Sequence, residues 1–244
     1  MKTILAAFCF LAQALAQESG RIQTRDVSLN ATDSVSYKIV GEYPVIAGLT
    51  DTNVQSRINQ RIQSLVQGWI QEFKTHAAEA YTENRNSPYR FPSTVDIGYD
   101  ERESPTDSII SLLFTNMGHI STDANDYTDY STLTFDLRTG HPIELSEIFV
   151  QGSHYLDTLS YYCITGILTQ KRTTDTSLVF TRGVSPRADN FKHFLLERDQ
   201  LTVFFDPYQV DSFGNAPHGY EVSIAYESLR RILRHNGPLG VLFK

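Results

Sequence analysis

Cysteine is almost absent from this chain, with two residues in 244. Cys9 lies inside an N-terminal apolar run, and removal of that run leaves Cys163 with no partner for an intramolecular disulfide. A small disulfide-stapled domain is therefore excluded. Cys163 sits in Leu159-Ser160-Tyr161-Tyr162-Cys163-Ile164 and reads as a buried thiol, with an intermolecular bridge as the alternative. Beyond the N-terminus no run of eighteen or more apolar residues occurs, so no ordinary membrane-spanning helix is expected. Basic residues are outnumbered, 21 Lys and Arg against 28 Asp and Glu, for a net charge of -7. That balance disfavours nucleic acid, which needs clustered positive charge, and also an anionic lipid surface. The chain also lacks a Gly-x-Ser-x-Gly elbow, a phosphate-cradling glycine loop and a His-Glu-x-x-His zinc helix. No cofactor is expected.

What is present at the N-terminus is an export pattern. Lys2 precedes the short apolar run Ile4 to Leu11, and Ala14-Leu15-Ala16 places small residues around a cut after Ala16. Residues 1–16 are expected to be a signal peptide, with an uncleaved anchor as the alternative, which places the protein in a secreted or periplasmic location. Residues 17–33 are polar and mixed and read as a flexible leader. Residues 34–244 carry no repeat or long linker and are expected to form a single α+β domain. Asn30-Ala31-Thr32 matches the N-glycosylation sequon, which matters only in a eukaryotic host.

Apolar spacing places the elements. Val54, Ile58, Ile62, Leu65, Trp69 and Phe73 recur every three or four residues, the mark of a long amphipathic helix, with Thr50 or Asp51 able to cap it. A second helix is expected over residues 153–168 through Leu156, Leu159, Cys163 and Ile167, and short helices near 144–149 and 226–234. Strands are expected at 35–40 continuing through 43–46, then at 94–100, 108–114 and 131–136. A hairpin comes next over 191–196 and 201–205, and a last strand over 219–224. Asp136 to Gly140 reads as a turn closed by a glycine suited to positive φ. The expected architecture is α+β, with a long helix and a second helix packed on a curved, largely antiparallel sheet.

Four segments resemble a known family. They are Tyr43-Pro44 with Val54 to Ile62, Ile109 to His119, and Phe135-Asp136-Leu137-Arg138-Thr139-Gly140 through Leu145-Ser146-Glu147-Ile148-Phe149. The fourth is Leu201 to Tyr208 followed by Gly219 and the last strand. Over residues 34–235 the chain resembles the extracellular domain of the RsiV type of bacterial anti-sigma factor, a family otherwise described as a domain of unknown function. The secreted mycobacterial MPT-type antigens resemble it more distantly. The resemblance implies a helix laid on a curved mixed or antiparallel sheet, with Phe135, Asp136, Gly140 and Pro207 as structural motif residues. It also implies a binding role, since anti-sigma members bind lysozyme through this domain. Met117-Gly118-His119-Ile120 departs from the family pattern of a small-residue pair and a histidine.

Candidate chemistry is sparse. His119, Asp123 and Asp126 form the densest ligand-like group, but their spacing fits no tight metal loop, and a solvated polar loop has the same composition. Asp206 and Asp211 could pair for acid–base work, whereas Asp206-Pro207-Tyr208 also reads as a strand-ending turn. Tyrosines are numerous, and each offers an apolar face and a hydroxyl. Tyr127, Tyr130, Asp206, Tyr208 and His218 are the candidate recognition-loop residues, the alternative being half-buried sheet and helix positions. The sequence-based expectation is a secreted, non-catalytic protein binding a basic extracellular protein or cell-wall glycan. The alternative is an extracellular hydrolase acting on glycan or ester substrates through His119 or the Asp206 to Asp211 region.

Overall fold

The computed structural model describes residues 23–33, 35–87, 91–212, 216 and 218–243. The expected signal peptide and the start of the leader lie outside the described residues. In the N-terminal half the strands are β1 (Gln23–Asp33), β2 (Tyr37–Ala47), β3 (Ser93–Arg102), β4 (Ile109–His119) and β5 (Tyr127–Asp136), with helix α1 (Thr52–Glu83) between β2 and β3. They form one sheet in chain order, antiparallel except for the parallel β2–β3 pair. A parallel pair needs a crossover, and α1 supplies it: 32 residues rising about 48 Å at 1.5 Å each.

Helix α1 starts at Asp51, whose carboxylate accepts from the amides of Asn53 (2.8 Å) and Val54 (3.3 Å). Its buried seam runs Val54, Ile58, Ile62, Val66, Ile70, Phe73, Ala77 and Ala80, against Ile39, Ile97, Leu112, Phe114 and Phe135 of the sheet. Leu65 and Trp69 flank that seam and are partly buried. The β2–β3 pairing ends at Gly41 opposite Ile97. Gly41 has φ 128°, and a Cβ there would lie 2.0 Å from the Ile97 carbonyl, so only glycine admits this approach.

Residues 23–33, expected as part of a flexible leader, instead form β1. Val27, Leu29 and Ala31 alternate toward the core while polar residues fill the other positions, including the exposed Asn30. A polar edge strand with three apolar contacts resembles a linker in composition alone.

After β5 the chain turns through Asp136 to Gly140, with the Gly140 amide bonded to the Asp136 carbonyl (2.7 Å) and Gly140 at φ 71°. The Asp136 carboxylate takes the Arg138 guanidinium through two hydrogen bonds, at 2.9 and 2.7 Å, and its amide at 2.9 Å. The Arg138 side-chain bond holds the carboxyl below the usual carboxylate range, against a smaller opposing effect of burial. The unfolded carboxyl has the higher pKa, so this contribution is complete above that value and disappears as pH falls through the folded one. Urea unfolding should show Asp136→Asn less stable than the parent at neutral pH, with the two converging in strong acid.

The C-terminal half forms a second, antiparallel sheet of β6 (His193–Leu196), β7 (Gln200–Phe205) and β8 (Tyr220–Ala225), covered by α2 (Tyr155–Gln170). Cys163, Leu159 and Ile167 of α2 are fully buried against Val203, Phe205, Val222 and Ile224. Burial pushes the Cys163 thiol up to about 12, so it is an unreactive core residue. The expected curved, largely antiparallel sheet is therefore corrected: among the described residues there are two sheets, one mixed and one antiparallel, and neither is curled or closed. They meet through side chains. Ser111 Oγ bonds both the amide (3.1 Å) and carbonyl (2.8 Å) of Leu196, and Thr132 Oγ1 accepts from the Phe194 amide (3.0 Å). These hydroxyls satisfy the free edge of β6 where another strand would otherwise pair.

Candidate functional site

The register of β4 and β5 sets the site. Asn116 lies opposite Asp129 and Gly118 opposite Tyr127, two and four residues beyond Phe114, which packs under α1. Period-two alternation puts all four on the α1 side of the sheet. Helix α1 answers with Trp69, Glu72, Phe73 and His76, spaced to share one helix face. Between them is a cavity of about 250 Å³ whose wall also includes Ile120, Asp123 and Tyr127. Tyr127 lies across Gly118, where a Cβ would come within 2.6 Å of its hydroxyl.

Asp129 lies on the wall of this cavity, and the charges of Asp206, Lys192 and His193 reach it. Burial raises its carboxyl above the usual range, and the charges of Asp206 and Glu72 add to that, against Lys192 and His193. Asp206, just after β7, behaves oppositely. Burial would raise it, but the hydrogen bond and charge of His193, with Lys192, outweigh burial and bring it down. His193 Nε2 is 3.5 Å from Asp206 Oδ2 and Lys192 Nζ is 3.1 Å from it; the His193 side chain is 11% exposed. The His193 imidazole thus contacts Asp206, whereas Asp129 is coupled to both through charge alone. Asn116 Nδ2 contacts Asp129 Oδ2 at 3.4 Å, while Asn116 Oδ1 is buried with no hydrogen-bond partner.

Of the expected recognition residues, Tyr127 lines the cavity. Tyr130 donates its hydroxyl to the His218 carbonyl (2.9 Å) and packs near Phe204, and the negative charge of Asp206 reaches it. Tyr208 is 60% exposed at φ 65° in the turn after β7, which the Gln209 amide closes onto the Asp206 carbonyl (3.1 Å). Asp211 does not join Asp206; it is buried against Lys171 and Tyr220. His119 bonds Asp126 (2.9 Å), whereas Asp123 belongs to the cavity wall. Among the described residues no three His, Cys, Asp or Glu side chains gather as metal ligands would. Sequence reasoning missed Asp129, Asn116, Lys192 and Glu72 and left His193 as a scattered histidine. The one sequence signal for Asp129 was its place between Tyr127 and Tyr130.

Residues 30–118 match the family model described as Deacetylase PdaC, and residues 146–215 match the one described as Protein of unknown function (DUF3298). A DUF3298-family domain is therefore present. A curated relative, the peptidoglycan-N-acetylmuramic acid deacetylase PdaC of Bacillus subtilis, is 24% identical over 101 residues, 41% of this chain. This chain spans about a fifth of that relative, 21% of its length. A DUF3298-family protein from Bacteroides fragilis superposes with TM-score 0.68 at 16% identity, covering 92% of this chain and 98% of its own. One from Pseudomonas aeruginosa gives 0.56 at 13%, covering 88% and 93%. Those two likenesses bear on the fold alone. The deacetylase match overturns the expectation of a non-catalytic binding protein and favours the hydrolase alternative. Among the described residues no helix is long and apolar enough to cross a membrane.

Proposed function

We propose that this chain is an extracellular hydrolase that removes acyl groups from cell-wall glycan. The observation that carries the reading is the half-buried contact of His193 with Asp206 at 3.5 Å, with its charge reaching Asp129 on the wall of a cavity lined by aromatic and polar side chains. The deacetylase match supports it, since residues 30–118 contribute Trp69, Glu72 and Asn116 to that cavity. The export pattern of residues 1–16 supports action outside the cytoplasm. The DUF3298 region supports kinship with RsiV-type extracellular domains as a matter of shared fold.

In this reading Asp206 holds His193 through Nε2, leaving Nδ1 to take a proton from water. The water oxygen adds to the acyl carbonyl carbon, and Lys192 offsets the charge that develops on the carbonyl oxygen. The bond from acyl carbon to sugar nitrogen or oxygen then breaks. Its electron pair stays on the sugar atom, which takes a proton from neutral Asp129. The products are a carboxylic acid and a free amine or hydroxyl on the sugar. Incubating the chain with N-acetylated peptidoglycan fragments should release acetate in step with new free amines. Absence of both, in a folded preparation, would sink the reading.

A further inference from the structure

Strand β1 forms the outer edge of the first sheet, with β2 on one side and, among the described residues, no strand on the other. Its 11 residues run to about twice the common strand length, whereas exposed edges are ordinarily kept short or broken by proline, bulges or charge. This strand holds no proline, and Val27 to Thr32 carry no charge. Side-chain contacts from β3 stop at its N-terminal end, where Thr24 donates to Glu101 (2.8 Å) and Tyr99 donates to Asp26. Among the described residues no side chain bonds the backbone of residues 27–32, and no strand but β2 does. The backbone groups there that point away from β2 are an unmatched row of donors and acceptors. At the other edge of the sheet Thr132 already accepts from the Phe194 amide (3.0 Å).

The side chains of β1 complement a second copy of the same strand. Alternation puts Arg25, Val27, Leu29, Ala31 and Asp33 on one face. When two such strands pair antiparallel about a twofold axis at Leu29, each residue meets the one equally far beyond Leu29 on the other copy. Arg25 then faces Asp33 at both ends, Val27 faces Ala31, and Leu29 faces itself, and directly opposed side chains share a face. On the other face Asp26 meets Thr32 and Ser28 meets Asn30, so no like charges are opposed. Moving the axis to Val27, Ser28, Asn30 or Ala31 sets Arg25 or Asp33 against an apolar residue, which selects the Leu29 register. Asp33 accepts from the Ser36 hydroxyl (2.6 Å) and the Val35 amide (3.4 Å), and a carboxylate has acceptor capacity beyond two bonds. We infer that β1 is a self-association edge, pairing antiparallel with β1 of a second copy so that Arg25 joins Asp33 and one sheet runs through both chains. The pairing uses none of the residues assigned to hydrolysis and does not depend on that reading.

Sedimentation equilibrium of the chain from about 1 to 200 μM, a range that brackets the affinity of a small interface, tests this. The parent should pass from monomer to dimer as concentration rises. Arg25→Asp sets a like charge against Asp33 at both ends and should weaken the dimer at least about tenfold, and Asp33→Arg should do the same against Arg25. An equimolar mixture of the two variants should dimerise again, since each end then opposes an aspartate to an arginine. Circular dichroism checks that each variant is folded. Arg25→Asp alters an exposed side chain, so its comparison with the parent stands even if Asp33→Arg, which loses the Ser36 bond, does not fold. A parent that stays monomeric throughout, a dimer that Arg25→Asp leaves unchanged, or a mixture of folded variants that stays monomeric would each overturn the inference.

Discussion

Replacing His193 with glutamine should lower acyl hydrolysis by about 10²–10⁴-fold, the range that a positioned general base contributes. Glutamine is the informative choice because its amide can still donate to Asp206, so the buried wall keeps its polar contact while losing the proton acceptor. The loss should fall on kcat, with the substrate's apparent affinity little changed, since His193 sits on the second sheet and the cavity wall is drawn from α1, β4, β5 and the loop between those two strands. Steady-state acetate release against substrate concentration measures this split. A His193→Gln chain that is folded and fully active would place the chemistry elsewhere.

The second large effect concerns stability and lies away from the site. Asp211, with 4% of its side chain exposed, pairs with Lys171, which is 13% exposed. It also accepts from the Tyr220 hydroxyl (2.8 Å) and the Ser212 amide (2.7 Å), and Lys171 donates onward to the Leu178 carbonyl (2.8 Å). The group ties the end of α2 to the loop after β7 and to β8. Burial raises the Tyr220 hydroxyl to about 12, with the Asp211 bond and charge adding to it. Asp211→Ala should cost about 3–5 kcal/mol, because it strands a buried ammonium as well as removing an attraction. Replacing both partners, as Lys171→Met with Asp211→Leu, should cost less than the single change. Urea midpoints of the parent, single and double variants measure both effects. An Asp211→Ala loss below about 1 kcal/mol, the value of an exposed pair, would mean that water reaches the group.

Several elements were legible from local pattern. The run from Val54 to Phe73 announced α1, Thr50 or Asp51 its cap, and Glu197-Arg198-Asp199-Gln200 the β6–β7 hairpin, because these depend on neighbours within one or two turns of chain. The pairing of β2 with β3 was not legible: α1 separates the strands, and alternation says which residues share a face but not which strand lies alongside. The same limit produced one expected sheet where two exist, since the Ser111 and Thr132 hydroxyls that end the first sheet against β6 look like ordinary strand residues. The leader was misread because Val27, Leu29 and Ala31 are few and surrounded by polar residues.

The candidate site divides in the same way. Tyr127, Tyr130 and Asp206 drew notice as aromatic or turn residues, but their neighbours Asn116, Asp129 and His193 come from distant strands. Asp206 looked complete as the start of a turn, which it also makes. Its bond to His193 depends on the β6–β7 register, where His193 pairs with Phe204, two residues before Asp206. The resemblance read from the motifs reached the DUF3298 match over residues 146–215, whereas the match of residues 30–118 to the Deacetylase PdaC model was not anticipated.

The decisive measurement is the rate of acetate release from N-acetylated glycan across pH, for the parent and for Asp129→Asn. If Asp129 must be neutral to donate its proton, the parent rate falls as pH rises through the raised Asp129 pKa. Asp129→Asn should be slower and lose that falling limb. No release at any pH, or a profile that Asp129→Asn leaves unchanged, would contradict a hydrolytic centre at Asp129, His193 and Asp206.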